Sequence, residues 1–137
     1  MPGLLSFLDT LQSRRIPFAA VTNAPRANAT IMLNALNLTS TFPKVIIGAE
    51  CTRAKPHPDP YLEGLRQLGL TPADAARCIA VEDSPSGLTA AVAANLPTFG
   101  IIGGGAVHAP EKLLSVGAVA CVKDYHEVLT HLTKERA

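Results

Sequence analysis

The chain has 137 residues, a formal net charge of +1, 47% hydrophobic residues and only 4% aromatics. That length can bury one sizeable core of aliphatic side chains, and the apolar fraction argues against disorder. The near-neutral charge gives no support to a nucleic-acid or membrane-surface partner, no apolar run approaches the ~18 residues of a membrane span, and no basic-then-apolar signal peptide opens the chain.

Leu4, Leu5, Leu8 and Leu11, with Phe7 beside them, have the spacing of an amphipathic helix, and Pro2-Gly3 stands where it begins. Ile16 to Thr22 is a short apolar run read as a buried strand, with Pro17 near its start, where a missing donor is tolerable. Ala27 to Leu38 has helical spacing through Ile31, Leu33, Leu36 and Leu38. Val45-Ile46-Ile47 is a second strand. Pro60 suits the first turn of a helix whose buried stripe is Tyr61, Leu62, Leu65 and Leu68, and which Gly69 ends. Cys78 to Val81 is a third strand that runs into Glu82-Asp83. Ser84 and Pro85 then suit the cap and first position of an Ala-rich helix. Pro97 to Ile102 is a fourth strand, Gly103-Gly104-Gly105 a hinge or surface loop, Val116 to Val122 holds a fifth strand, and Asp124 to Arg136 a terminal helix.

Strands and helices alternate, and the strands are continuously apolar, as in parallel sheets covered on both faces. The expected fold class is α/β, a doubly wound parallel sheet with right-handed crossovers. Cys51, Cys78 and Cys121 are odd in number and scattered, and read as reduced thiols in a cytoplasmic protein. Cys78 and Cys121 lie in apolar runs and are expected in the core. His57, His108, His126 and His131 form no metal-ligand spacing.

In such sheets, ligands bind at the carboxyl ends of the strands. Thr22 and Glu82-Asp83 stand at two of these ends, and Lys55 lies in the loop after another strand, Val45-Ile46-Ile47. Adjacent carboxylates at the end of a buried strand repel each other, which a hard divalent cation such as Mg2+ would relieve; the competing reading is that they cap the next helix. Thr22 either donates its hydroxyl to a phosphate oxygen, with Asn23 and Ala24 adding backbone donors, or forms a Thr-Asn helix cap before Pro25. Lys55, in a loop stiffened by Pro56, Pro58 and Pro60, is either a held cation or an ordinary surface lysine. Arg26 and His57 stand near the same rim.

Taken together and in order, Val21-Thr22-Asn23-Ala24-Pro25-Arg26, Ala54-Lys55-Pro56-His57-Pro58-Asp59-Pro60-Tyr61 and Val81-Glu82-Asp83-Ser84-Pro85-Ser86-Gly87-Leu88 resemble the second, third and fourth motifs of the haloacid-dehalogenase-like (HAD) phosphohydrolases. The likeness is to the subgroup that includes phosphoglycolate phosphatase and β-phosphoglucomutase. Pro2-Gly3 with its amphipathic helix resembles the return from that family's cap domain into the core. The resemblance implies attack by an Asp on a phosphate monoester, an aspartyl-phosphate intermediate and charge neutralisation by Mg2+. Carried over, Thr22 and Asn23 bind phosphate, Lys55 orients it and balances its charge, and Glu82 and Asp83 hold Mg2+ directly or through water.

The family's first motif, Asp-x-Asp at the end of an N-terminal strand, has no counterpart: the Asp residues are Asp9, Asp59, Asp74, Asp83 and Asp124. The resemblance therefore implies that residues 1–137 are a partial, Rossmann-like core of about five strands, without its central nucleophile strand or its substrate-selecting cap. It implies two unpaired inner strand edges, which either close directly on each other or are filled by a second copy or by an N-terminal segment. The expected function is a Mg2+-dependent phosphohydrolase of small phosphorylated metabolites whose isolated chain lacks the nucleophile. The alternative is a non-catalytic phosphometabolite-binding or protein-interaction module derived from the same fold.

Overall fold

The computed structural model describes residues 1–103, 105 and 107–134. In chain order the elements are α1 (Leu4–Ser13), β1 (Ala20–Thr22), α2 (Arg26–Ala35), β2 (Val45–Ile47), α3 (Asp59–Gln67), β3 (Ala80–Glu82), α4 (Pro85–Ala93), β4 (Thr98–Ile101), α5 (Pro110–Val116), β5 (Ala120–Val122) and α6 (Tyr125–Lys134). Short 3-10 turns occupy Gly48–Glu50 and Pro72–Arg77. Gly104, at the centre of the expected glycine loop, and residues 135–137, at the end of the expected terminal helix, lie outside the described residues.

All strand pairs are parallel, in two sheets of order β1-β2 and β3-β4-β5. Period-two alternation assigns their faces. Ala80 packs with Tyr61 and Leu65 of α3, Ala90 and Ala91 of α4, and Ala94 just beyond it. Ile79 and Val81 turn the other way, toward Phe7 and Leu8 of α1, Phe99, Val122 and Val128 of α6. Helices thus cover both faces, which is the doubly wound α/β arrangement. Gly100, on the α4 face, lets Leu113 of α5 approach β4 closely.

The two sheets do not join: among the described residues no pairing links β1 to β3. Register shows which backbone groups face the gap. Ala20 donates to Lys44 O, so Ala20 and Thr22 turn their backbone groups toward β2 and Val21 turns away. Ala80 donates to Pro97 O, so Ala80 and Glu82 turn toward β4 and Val81 turns away. Val21 and Val81 therefore line the two inner edges of a slot.

Five helices end alike. A residue in the left-handed region follows each of them — Arg15, Asn37, Gly69, Asn95 and Gly117. The next amide then reaches back to a carbonyl in the last turn: Ile16 to Leu11, Leu38 to Leu33, Leu70 to Leu65, Leu96 to Ala91 and Ala118 to Leu113. This ending corrects two sequence boundaries. The expected helix to Leu38 stops at Ala35, because Asn37 reverses the chain and buries Leu38 from outside the helix. The expected strand from Ile16 starts at Ala20, because residues 16–19 are still leaving that turn and β2 offers only three partners from Val45 onward. One element was missed altogether: α5 has a single buried side chain, Leu113, too few for a periodic signal.

Candidate functional site

The carboxyl ends of β1 and β3 open on the same rim, and the loop after β2 crosses between them carrying Lys55. Asn23 fixes this loop: its side-chain amide donates to Lys55 O at 3.1 Å, while its Oδ1 accepts the Lys55 N–H at 3.2 Å. Gly48 makes the approach feasible, since a Cβ there would collide with Asn23 Oδ1. Asn23 is therefore clamped to the lysine loop through its side chain.

Lys55 is no surface lysine: its side chain is 9% exposed. Its ammonium donates to Val21 O at 2.9 Å and to Glu82 Oε1 at 2.5 Å. One cation thus ties the free edge of β1 to the end of β3 across the slot. Two of its three N–H donors are placed, which leaves one for another acceptor.

Glu82 and Asp83 part company. Glu82 lies on the α3 and α4 face, 7% exposed, with Oε1 accepting from both Lys55 and the hydroxyl of Tyr61. The carboxylate fits against α4 because Gly87 has no side chain there. Asp83 is exposed and, with Ser84 and His108, lines a cavity of about 250 Å³. Neither carboxylate caps α4; Ser84 does, accepting the Gly87 N–H at 3.1 Å. Thr22 does not cap α2, whose start at Pro25 has no side-chain cap. Instead Thr22 Oγ1 accepts the Ala24 N–H at 3.0 Å, which leaves its own hydroxyl hydrogen for an outside acceptor.

Arg26 is drawn away to Glu50 at 2.9 Å, and His57 is exposed on the lysine loop. Sequence reasoning placed Tyr61 only in the buried stripe of α3 and missed its hydroxyl. A lone tyrosine among leucines, three residues after Pro56-His57-Pro58 ends, carried a usable signal: a buried phenol needs a partner. Burial, then the neighbouring Glu82 charge and the hydrogen bond to it, push the Tyr61 phenol far above its ordinary range. Tyr125 stacks on Phe7 at 5.2 Å and is also raised, by burial first and then by Asp83 and Glu82.

The oxygen donors at the rim are of the kind that hold a hard cation. Among the described residues no three His, Cys, Asp or Glu side chains gather as a ligand set; at the end of β3 Asp83 is exposed while Glu82 is buried. No helix among these residues is long and apolar enough to cross a membrane.

Comparison with known proteins gives these residues a context. The family model described as haloacid dehalogenase-like hydrolase matches residues 1–101. A phosphorylated carbohydrates phosphatase of Thermotoga maritima is 32% identical over 135 residues, covering 98% of this chain and 59% of the relative. The phosphoglycolate phosphatase of Escherichia coli is 34% identical over 100 residues, covering 73% of this chain and 38% of the relative. A HAD family hydrolase from Deinococcus radiodurans, solved with bound phosphate and sodium, superimposes with a TM-score of 0.89 at 28% identity, over 98% of this chain and 59% of that one. The chain thus spans well under two thirds of the length of each protein.

Proposed function

The chain belongs to the haloacid dehalogenase-like hydrolases, and from that premise we propose that it is the phosphate-handling core of a Mg2+-dependent phosphohydrolase of small phosphorylated metabolites. The observation that carries this reading is the buried ammonium of Lys55, anchored at the rim that Thr22 and Asp83 share. In this reading the Thr22 hydroxyl and the turn through Ala24 donate to phosphate oxygens, and Lys55 balances their charge. Asp83 would hold Mg2+, with water and phosphate completing its shell, and Glu82 would act on it only through water. The ion, when bound, supplies further charge neutralisation. The rim residues address the phosphate, the group shared by every such ester.

The nucleophile enters, in this proposal, on a strand supplied to the slot between β1 and β3 by a further segment or by a second copy of the chain. The scattered thiols support a cytoplasmic setting. A non-catalytic phosphate-binding module is the second reading, favoured by the absence of an Asp-x-Asp from the 137 residues.

Calorimetric titration with inorganic phosphate, with and without Mg2+, tests the site, alongside turnover of an aryl phosphate. The expected result is phosphate binding that Mg2+ tightens, lost in Lys55→Ala, with the Mg2+ effect lost in Asp83→Asn. Asp83 is exposed and bears on no core contact, so its variant keeps the fold. Phosphate affinity equal in wild type and Lys55→Ala would overturn the assignment. Turnover that appears only when an Asp-x-Asp strand is added would favour the enzyme over the binding module.

A further inference from the structure

Nothing in the phosphate reading uses Tyr61, yet it is among the most constrained side chains of the site. It is 8% exposed, in the first turn of α3, and its hydroxyl donates to the same Glu82 oxygen that accepts Lys55. Its ring also faces the ammonium, with Lys55 Nζ 5.3 Å from the ring centroid. Two donors, one from the lysine loop and one from α3, thus meet at one oxygen of the carboxylate that ends β3, while Gly87 leaves room for that carboxylate on the α4 side.

A lysine has four flexible side-chain torsions and does not hold one position unless its surroundings impose it. Among the described residues the carboxylate that meets Lys55 is Glu82, itself mobile about its own torsions unless a second donor fixes it. Tyr61 is that donor, its hydroxyl reaching the Glu82 oxygen from the first turn of α3. We propose that Tyr61 is a positioning residue: its hydroxyl fixes the Glu82 carboxylate, its ring limits the ammonium, and together they hold Lys55 Nζ at the phosphate rim. The proposal rests on the reading of Lys55 as the phosphate-binding cation.

Tyr61→Phe keeps the ring and its packing against Leu65 and Ala80 and removes only the hydroxyl. The primary measurement is competitive labelling with an amine-acylating reagent, read by mass spectrometry as Lys55 reactivity relative to the exposed Lys44, Lys112 and Lys123 of the same molecule. This internal ratio cancels reagent dose and pH, while general loosening, which a merely structural role would produce, is read separately as faster hydrogen exchange at the buried Val122 and Val128, which the proposal leaves unchanged. In Tyr61→Phe the ratio is expected to rise about tenfold, the size of losing one hydrogen bond to a charged group, and affinity for inorganic phosphate to fall about tenfold. Glu82→Gln is expected to raise the ratio as well, and Tyr61→Phe to add nothing on top of it, because Tyr61 acts through Glu82.

An unchanged ratio and unchanged phosphate affinity in Tyr61→Phe, with Lys55→Ala still losing phosphate, would overturn the role of Tyr61 and leave the proposed function standing. Additive effects of Tyr61→Phe and Glu82→Gln would overturn it too. A wild-type chain that binds no phosphate would remove the reading on which it rests, and the proposal with it.

Discussion

Gly87 occupies the first turn of α4, where alanine would ordinarily be the better helix former by about 1 kcal/mol. The site reverses that preference. A Cβ there would fall inside contact distance of both Glu82 oxygens, and the obstacle is a carboxylate held in place by Lys55 and Tyr61. Relief requires Glu82 to move and break a buried ion pair, a loss of about 3–5 kcal/mol when one partner is stranded. Gly87→Ala is therefore expected to lower the unfolding free energy by about 2–4 kcal/mol in a urea titration. Unchanged or increased stability would show that the carboxylate has room to shift. The sequence brought Thr22, Asn23, Lys55, Glu82 and Asp83 to one rim, because four of them stand at or just after a strand end and Lys55 lies in the loop that leaves β2 on the same side. It did not separate the roles of Glu82 and Asp83. Adjacent residues on a strand face opposite ways, and which one meets the lysine depends on sheet parity and on α3, neither visible in a run of two acids. The same non-local dependence hid the side-chain clamp of Asn23 on the Lys55 backbone, 32 residues away.

Helix boundaries were legible where a residue carries a local chemical reason and illegible where tertiary packing decides. Ser84-Pro85 is the clearest case, since a hydroxyl cap followed by a proline with no N–H to satisfy is a local device, and both are found as expected. Ser84 Oγ accepts the Gly87 N–H, so Ser84→Ala leaves that donor without its cap. The expected loss is about 1 kcal/mol, read as a lower urea midpoint with an unchanged slope. A shift below a few tenths would mean that water serves the freed amide equally well. For α5, Pro110 at its first position and Gly117 beyond its end were the readable signals, but seven residues that bury one leucine give no periodicity to join them. In α1 and α2 the apolar spacing showed the helix, whereas Arg15 and Asn37, both left-handed without being glycine, carried no warning of where it stops.

Across the whole molecule, strand count and parallel order follow from the alternation of apolar runs and helices, whereas the break between β1 and β3 was expected only from the resemblance and its missing central strand, since periodicity carries no sign of sheet neighbours that are far apart in sequence. The break has a measurable consequence, because backbone groups alternate in direction along each inner strand. Thr22 and Glu82 point their amides into their own ladders, while those of Val21 and Val81 point into the slot. The Val21 carbonyl is met by Lys55, and neither valine amide has a partner among the described residues. Buried backbone donors without partners are costly, and such edges accept an added strand readily. In dilute solution, hydrogen exchange followed by NMR is expected to show Val21 and Val81 exchanging at least tenfold faster than Thr22 and Glu82, an alternation within single strands that general fraying cannot produce. When a strand from a second copy or an added peptide enters the slot, protection should rise at the two valines first and leave the ladder amides nearly unchanged. Equal protection of all four amides in the dilute monomer would mean that β1 and β3 have closed directly on each other, and the slot would then be unable to receive the strand that the proposed phosphohydrolase requires.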